Sequence, residues 1–414
     1  MRFFSKPCLT IGLLLCALTM PSAHAAATPE SHWVDAWSAP PDQAGPPLAA
    51  QTLRQVIQTS IAGTEVRIRL SNLFGTAPVT IGPLHIAGHA NGSATEPGTD
   101  HAITFGGKTT VTIAKGADAL SDPVNLPVVA QQQLAVTMYF PKRTGASTMH
   151  GMANQTAFVT PTGDATAAAV FPDNDTTNSR YFLTDLEVAT KPGARAIVAM
   201  GDSITDGAGS TPEQNKRWPD ALAARLQADP TLASIAVVNA GIAGNRLLRD
   251  GGTNFIGPAA LTRFDRDALN KPGVAWVFLL QGVNDIAASS TLSTAQDSVS
   301  APQIIAGLQK LIARAHKNGV KVIGGTLLPC GGAGWPFHTL AGEAKRLAVN
   351  HWIRTAGAFD AVVDFDQVVR DPARPDHLLP AFNSGDEIHP NDAGYKAMAD
   401  AIDLRWFAQA KTEK

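Results

Sequence analysis

The sequence predicts an α/β protein in which a β-sandwich precedes a parallel five-stranded sheet covered by helices. Short alternating apolar runs, separated by turn residues, fill the chain up to about residue 190, with no long helical period among them. After Lys191-Pro192-Gly193, continuous apolar runs alternate with helical spacings, the pattern of a sheet buried on both faces. A length of 414 residues accommodates two or three domains.

The chain opens with an export signal. Arg2 and Lys6 precede an apolar core from Cys8 to Thr19, and Ala23-His24-Ala25 supplies the small-x-small cleavage site. That core is too short to span a bilayer, and Leu15 is too large for a lipoprotein signal through Cys16. The expected organisation is a signal peptide over 1–25, a β-sandwich-like domain over 26–190 and an α/β domain over 191–414. The mature protein is expected in the periplasm or outside the cell, with no membrane anchor. Cleavage removes Cys8 and Cys16, so Cys330 is left without an intrachain disulfide partner. With 16% charged residues and a net charge of -2, nothing points to nucleic acid or an anionic membrane as partner.

From Thr28 to about Pro47 the sequence is Pro-rich and reads as irregular, pinned by Trp33 and Trp37. Strands follow at Thr52 to Gln58, Glu65 to Leu70, Val79 to Ile86, Thr109 to Ile113 and Leu134 to Phe140. In the second part, strands are predicted at Ala196 to Met200, Ile235 to Val238, Val274 to Leu280, Val320 to Ile323 and Ala361 to Phe365. Helices are predicted from Trp218, through Ile304 to Ile312 until Asn318-Gly319, and from Asp392 through Ile402.

The first three strands of this part each end in a polar and glycine-containing motif: Gly201-Asp202-Ser203, Asn239-Ala240-Gly241-Ile242-Ala243-Gly244-Asn245 and Gln281-Gly282-Val283-Asn284-Asp285. Asp386-Glu387-Ile388-His389-Pro390 precedes the last helix. Open parallel sheets bind ligands beyond the carboxyl ends of their strands, so these motifs should meet at one edge. The residue types fit acyl transfer. Ser203 is the candidate nucleophile, His389 its base, and Asp386 the acid that orients the imidazole from three residues away. The amides of Ser203 and Gly244 and the side chain of Asn284 are candidate oxyanion donors.

Gly-Asp-Ser, an Asn-rich glycine turn, Gly-x-Asn-Asp and Asp-x-x-His-Pro in this order resemble the SGNH, or GDSL, hydrolases over Ala196 to about Phe407. The resemblance implies a flavodoxin-like three-layer α/β/α fold and hydrolysis of carboxylic esters through an acyl-enzyme, without cofactor. It assigns nucleophile to Ser203, oxyanion donors to Gly244 and Asn284, and the acid–base pair to Asp386 and His389. Trp33-Val34-Asp35-Ala36-Trp37, Thr52-Leu53-Arg54-Gln55 and Arg69-Leu70-Ser71-Asn72-Leu73-Phe74-Gly75 resemble the β-rich leader of exported bacterial GDSL esterases, a subgroup similar to arylesterases and xylan-associated acyl esterases. The expected substrate is an O-acyl or acetyl group on carbohydrate, presented as a small-molecule or polysaccharide ester. Lysophospholipid or aryl esters are the alternative. O-acyl transfer, and polysaccharide binding by the β-rich part, are further readings.

Other residues have plainer readings. Asp364 and Asp366 are rival orienting acids, while Asp202 and Asp285 are expected to support their loops. His85 and His89, four apart, lack a third ligand, and no metal site is expected. Trp335 and His338, in a Gly-rich loop after the fourth strand, are candidates for substrate contact or for packing of the loop itself. Thr205 replaces the second glycine of Gly-x-Ser-x-Gly, which argues against the α/β-hydrolase fold.

Overall fold

Alternation shapes the β-rich part. In Glu65–Ser71, Val66, Ile68 and Leu70 point inward and are buried, while Glu65, Arg67 and Arg69 are half-buried. This strand pairs with Leu183–Thr190, which pairs in turn with His32–Ser38, and Asp118–Leu120 completes a four-stranded antiparallel sheet. A six-stranded antiparallel sheet is built around Thr52–Gln58 and Gln133–Tyr139. Leu53, Ile57, Ile68, Leu134, Val136 and Val188 share the core of this part. Each such side chain contributes roughly 1.5–3 kcal/mol by leaving water. The computed structural model describes residues 1–4, 32–172, 175–251, 256–291 and 298–408. Apart from its first four residues, the expected signal peptide lies outside them.

Local chemistry corrects three of the expected elements. The stretch expected to be irregular holds the seven-residue strand His32–Ser38. The run from Val79 to Ile86 is two strands, Val79–Ile81 and Leu84–Gly88, parted at Gly82-Pro83, where proline has no N–H for a ladder. The last parallel strand stops at Val363, because the Asp364 side chain accepts from Gln367 N–H at 3.2 Å and caps a short helix, Phe365–Val369.

The parallel sheet consists of β1 (Arg195–Gly201), β2 (Ile235–Gly241), β3 (Val274–Leu280), β4 (Lys321–Gly325) and β5 (Ala361–Val363), in the order β2-β1-β3-β4-β5. The main helices are α1 (Ser203–Asp206), α2 (Trp218–Ala228), α3 (Val283–Thr291), α4 (Ala301–Lys317), α5 (Leu340–Thr355) and α6 (Asp392–Asp400). α4 starts at a reciprocal cap between Ser300 and Gln303 and buries Ile304, Leu308, Leu311 and Ala315 along one stripe. Trp218, Phe278 and Phe365 pack together beneath the sheet ends, with Trp218 and Phe278 centroids 5.1 Å apart. This is the flavodoxin-like order, with a crevice between β1 and β3 where the connections diverge.

The β-rich part covers the free edge at β2. His32–Ser38 packs against β2, and Ser60 Oγ accepts the Val237 N–H at 3.2 Å. Asp35 N–H donates to Pro272 O at 3.0 Å. From His32 onward the chain folds as one unit. Among the described residues, no helix is long and apolar enough to cross a membrane.

Candidate active site

β1 is a buried apolar run that ends at Gly201, and the chain then turns at once into α1. Asp202 caps that turn, its side chain accepting the Ile204 N–H at 3.0 Å. Burial pushes the Asp202 carboxyl up to about 7, in line with a capping role rather than a charged one. Ser203 therefore opens α1 at the end of the strand. α1 lies on the end of β2 only because Gly241 has no side chain. A Cβ there would stand 2.3 Å from Asp206 N.

The turn from Ser384 to Pro390 brings the histidine to the serine. His389 Nε2 is 2.8 Å from Ser203 Oγ, and His389 Nδ1 is 2.5 Å from Asp386 Oδ2. The other Asp386 oxygen accepts the N–H groups of Ile388 and His389 at 2.9 and 2.8 Å and the Ser384 hydroxyl at 3.1 Å. Partial burial raises the Asp386 carboxyl, but bonds from the His389 ring and two backbone amides outweigh it and hold it down at about 2. Asp386 is thus an anion throughout the neutral range. α6, which follows the histidine turn, is stitched to the segment after α1: Tyr395 donates to Ala208 O at 2.6 Å, and Asp392 accepts from Thr211 N–H and Oγ–H, both at 2.8 Å.

The remaining two motifs join one another. Asn284 Nδ2 donates to Asn245 O at 3.1 Å, leaving its second amide hydrogen for another acceptor. Asp285 accepts the N–H groups of Leu247 and Leu248 at 2.7 and 3.1 Å, so it supports the loop beside Asn284. Gly244 has φ of 71°, and a Cβ there would meet Ile256 Cγ2 at 2.2 Å. Both the turn and Ile256 therefore require glycine at this position.

Arg263 is a structural hub that the sequence did not disclose. Its fully buried guanidinium donates to Gly201 O at 2.9 Å, Ala240 O at 2.7 Å and Asn245 Oδ1 at 3.0 Å, fastening the ends of β1 and β2 to the glycine turn. Asp267, four residues on, pairs with it, but the three oxygens it fastens lie elsewhere in the chain, so the local spacing marks no more than an ion pair.

The rival acids are occupied elsewhere. Asp364 pairs with Arg354 and Thr326, and Asp366 with Arg346 and Arg354. His85 binds Asp100, while His89 binds Gln133 and Gly92 O. Among the described residues, no group of three or more candidate ligands could hold a metal ion. The loop with Trp335 and His338 borders the histidine turn, since Gly332 sits so close to the Glu387 carboxylate that a Cβ would stand 2.4 Å from it. Trp335 is 69% exposed, and His338 lies 3.7 Å from Asp376. Cys330 is buried, its thiol pushed up to about 11 by burial, and it donates to Phe337 O.

Residues 199–397 match the model of the GDSL-like lipase/acylhydrolase family. Among solved structures, the chain is similar to a GDSL-like lipase from Bacteroides thetaiotaomicron, with 21% identity over 51% of this chain and 88% of that one and a TM-score of 0.37. It is also similar to an acetyl xylan esterase from Geobacillus stearothermophilus, with 24% identity over 51% of this chain and 93% of that one and a TM-score of 0.37. No curated protein matches the sequence. The stretch from β1 into α6 is a GDSL-like lipase/acylhydrolase domain, and the chain is an ester hydrolase.

Proposed function

We propose that the enzyme hydrolyses O-acyl esters of carbohydrates through an acyl-enzyme on Ser203. The observation that carries this reading is the continuous line Asp386–His389–Ser203, with separations of 2.5 and 2.8 Å. As Ser203 Oγ attacks the acyl carbon, His389 Nε2 takes its proton, and Asp386 stabilises the imidazolium that forms. The carbonyl oxygen becomes an oxyanion, for which the Ser203 and Gly244 amides and the Asn284 side chain are the donors. The tetrahedral intermediate collapses, the C–O bond to the alcohol breaks, and His389 gives the alcohol its proton. Water then repeats the sequence on the acyl-enzyme, releasing the acid and restoring Ser203.

A sugar alcohol is favoured by Trp335, an exposed indole on the loop beside the histidine turn, since pyranose rings stack on aromatic side chains. Exposed Leu340 on the same stretch favours an aryl or lysophospholipid ester as second reading. Labelling with a fluorophosphonate tests the mechanism. Ser203 is expected to be modified, with no labelling in Ser203→Ala and a rate strongly reduced in His389→Ala; modification at another residue rejects it. Acid release from acetylated xylan, p-nitrophenyl esters of rising chain length and lysophospholipid separates the substrate readings. Faster release from xylan, reduced by Trp335→Ala without loss on p-nitrophenyl acetate, is the expected result.

A further inference from the structure

His150 ends a strand of the β-rich part, Ser147–His150, and is only 5% exposed. It reaches Asp206, the last residue of the one-turn helix that Ser203 begins. Its Nδ1 lies 2.9 Å from Pro40 O, and its Nε2 lies 3.0 Å from Met152 O and 3.2 Å from Asp206 Oδ1. All of these partners are acceptors, whereas a neutral imidazole has one N–H. Both nitrogens therefore donate, and the ring is cationic. Burial opposes that charge, but Asp206 and Asp42 outweigh burial and hold the proton up to about 9.

The second Asp206 oxygen accepts the Ala243 N–H at 3.0 Å, one residue before Gly244. One carboxylate thus joins the helix that carries Ser203 to the turn that carries the Gly244 amide. Asp206 is itself 3% exposed, and a carboxylate so buried needs such a cation beside it.

We propose that His150 is a positioning residue for ester hydrolysis, whose two-donor ring locks Asp206 and thereby the spacing between Ser203 and the oxyanion donor at Gly244. The inference rests on the reading of Ser203 as nucleophile. It makes the β-rich part a contributor to the catalytic geometry as well as a cover for the sheet edge. Displacing an oxyanion donor slows the chemical step and leaves ground-state binding of a small ester unchanged.

Steady-state kinetics of the full chain on p-nitrophenyl acetate test this, with folding checked by circular dichroism. His150→Gln and the isosteric Asp206→Asn are each expected to lower kcat about 10- to 100-fold, with KM within about twofold. The double variant is expected to be no slower than the slower single variant, because both changes break one linkage. A folded His150→Gln enzyme with wild-type kcat overturns the proposal. So does a rise in KM that accounts for the loss, a double variant that multiplies the two effects, or failure of both single variants to fold. Ser203→Ala serves as the control. Full hydrolysis by Ser203→Ala rejects the nucleophile reading itself, whereas an inactive Ser203→Ala beside an unaffected His150→Gln rejects only the positioning role.

Discussion

Asp386 does two jobs with one carboxylate: one oxygen faces the His389 ring and the other holds the turn through the Ile388 and His389 amides. Its folded pKa of about 2 lies below the ordinary aspartate value of roughly 3.9. The folded state therefore binds that proton less readily than the unfolded chain, and the charge stabilises the fold at every pH above the unfolded value. That contribution fades as pH falls toward 2. In Asp386→Asn, kcat is expected to fall by about 10²–10⁴, since the imidazole loses its anionic partner. The gap in melting temperature between the variant and wild type should be constant above about pH 5 and should narrow below pH 4. A gap that widens on acidification contradicts the assignment of this charge. At this scale the sequence was most legible where partners are local. Asp386 and His389 are three residues apart, so their pairing could be read directly. Arg263 and Asp206 also bind backbone groups that only the fold brings near, and no spacing announces those.

Elements were legible where burial imposes a period. The five parallel strands are apolar runs, and α4 carries both its stripe and its cap in plain view. His32–Ser38 was not, because Asp35 sits fully buried in mid-strand and the pairing partner begins at Leu183. What no pattern reveals is how closely two elements approach. Gly241 is the sharpest case, since its Cβ would press on backbone of α1, which has no flexible end to move aside. Gly241→Ala is expected to lift α1 from β2, destabilise the protein by about 1–3 kcal/mol and lower kcat/KM by more than that stability loss explains at 25 °C. Denaturant unfolding and kinetics on the same preparation check both. An Ala variant with normal kcat/KM means that Ser203 and His389 tolerate a shifted helix.

For the whole molecule, a change of pattern at Lys191-Pro192-Gly193 is visible in the sequence, but the joining of the antiparallel strands before it to the parallel sheet is not. It runs through charges far apart in the chain. Lys271, just before β3, is buried against Asp185, and its ammonium is 3.7 Å from Asp35. Neither Asp35 oxygen has a hydrogen-bond partner among the described residues. Burial, with Asp185 and Glu187 nearby, drives the Asp35 carboxyl well above the usual carboxylate range, against the pull of Lys271. Removing the cation leaves two buried carboxylates facing each other. Lys271→Met keeps the volume and is expected to cost about 3–5 kcal/mol at pH 7. The pH dependence gives the signature. A carboxyl with a raised folded pKa binds protons more readily in the native state, so stability falls as pH rises through the window above the unfolded value. Without Lys271 the native state holds the Asp35 proton to still higher pH, so the deficit of the variant should be larger at pH 8 than at pH 5. Urea unfolding at the two pH values measures it. An equal deficit at both means that the junction is held by packing of His32–Ser38 on β2, with the buried charges contributing little.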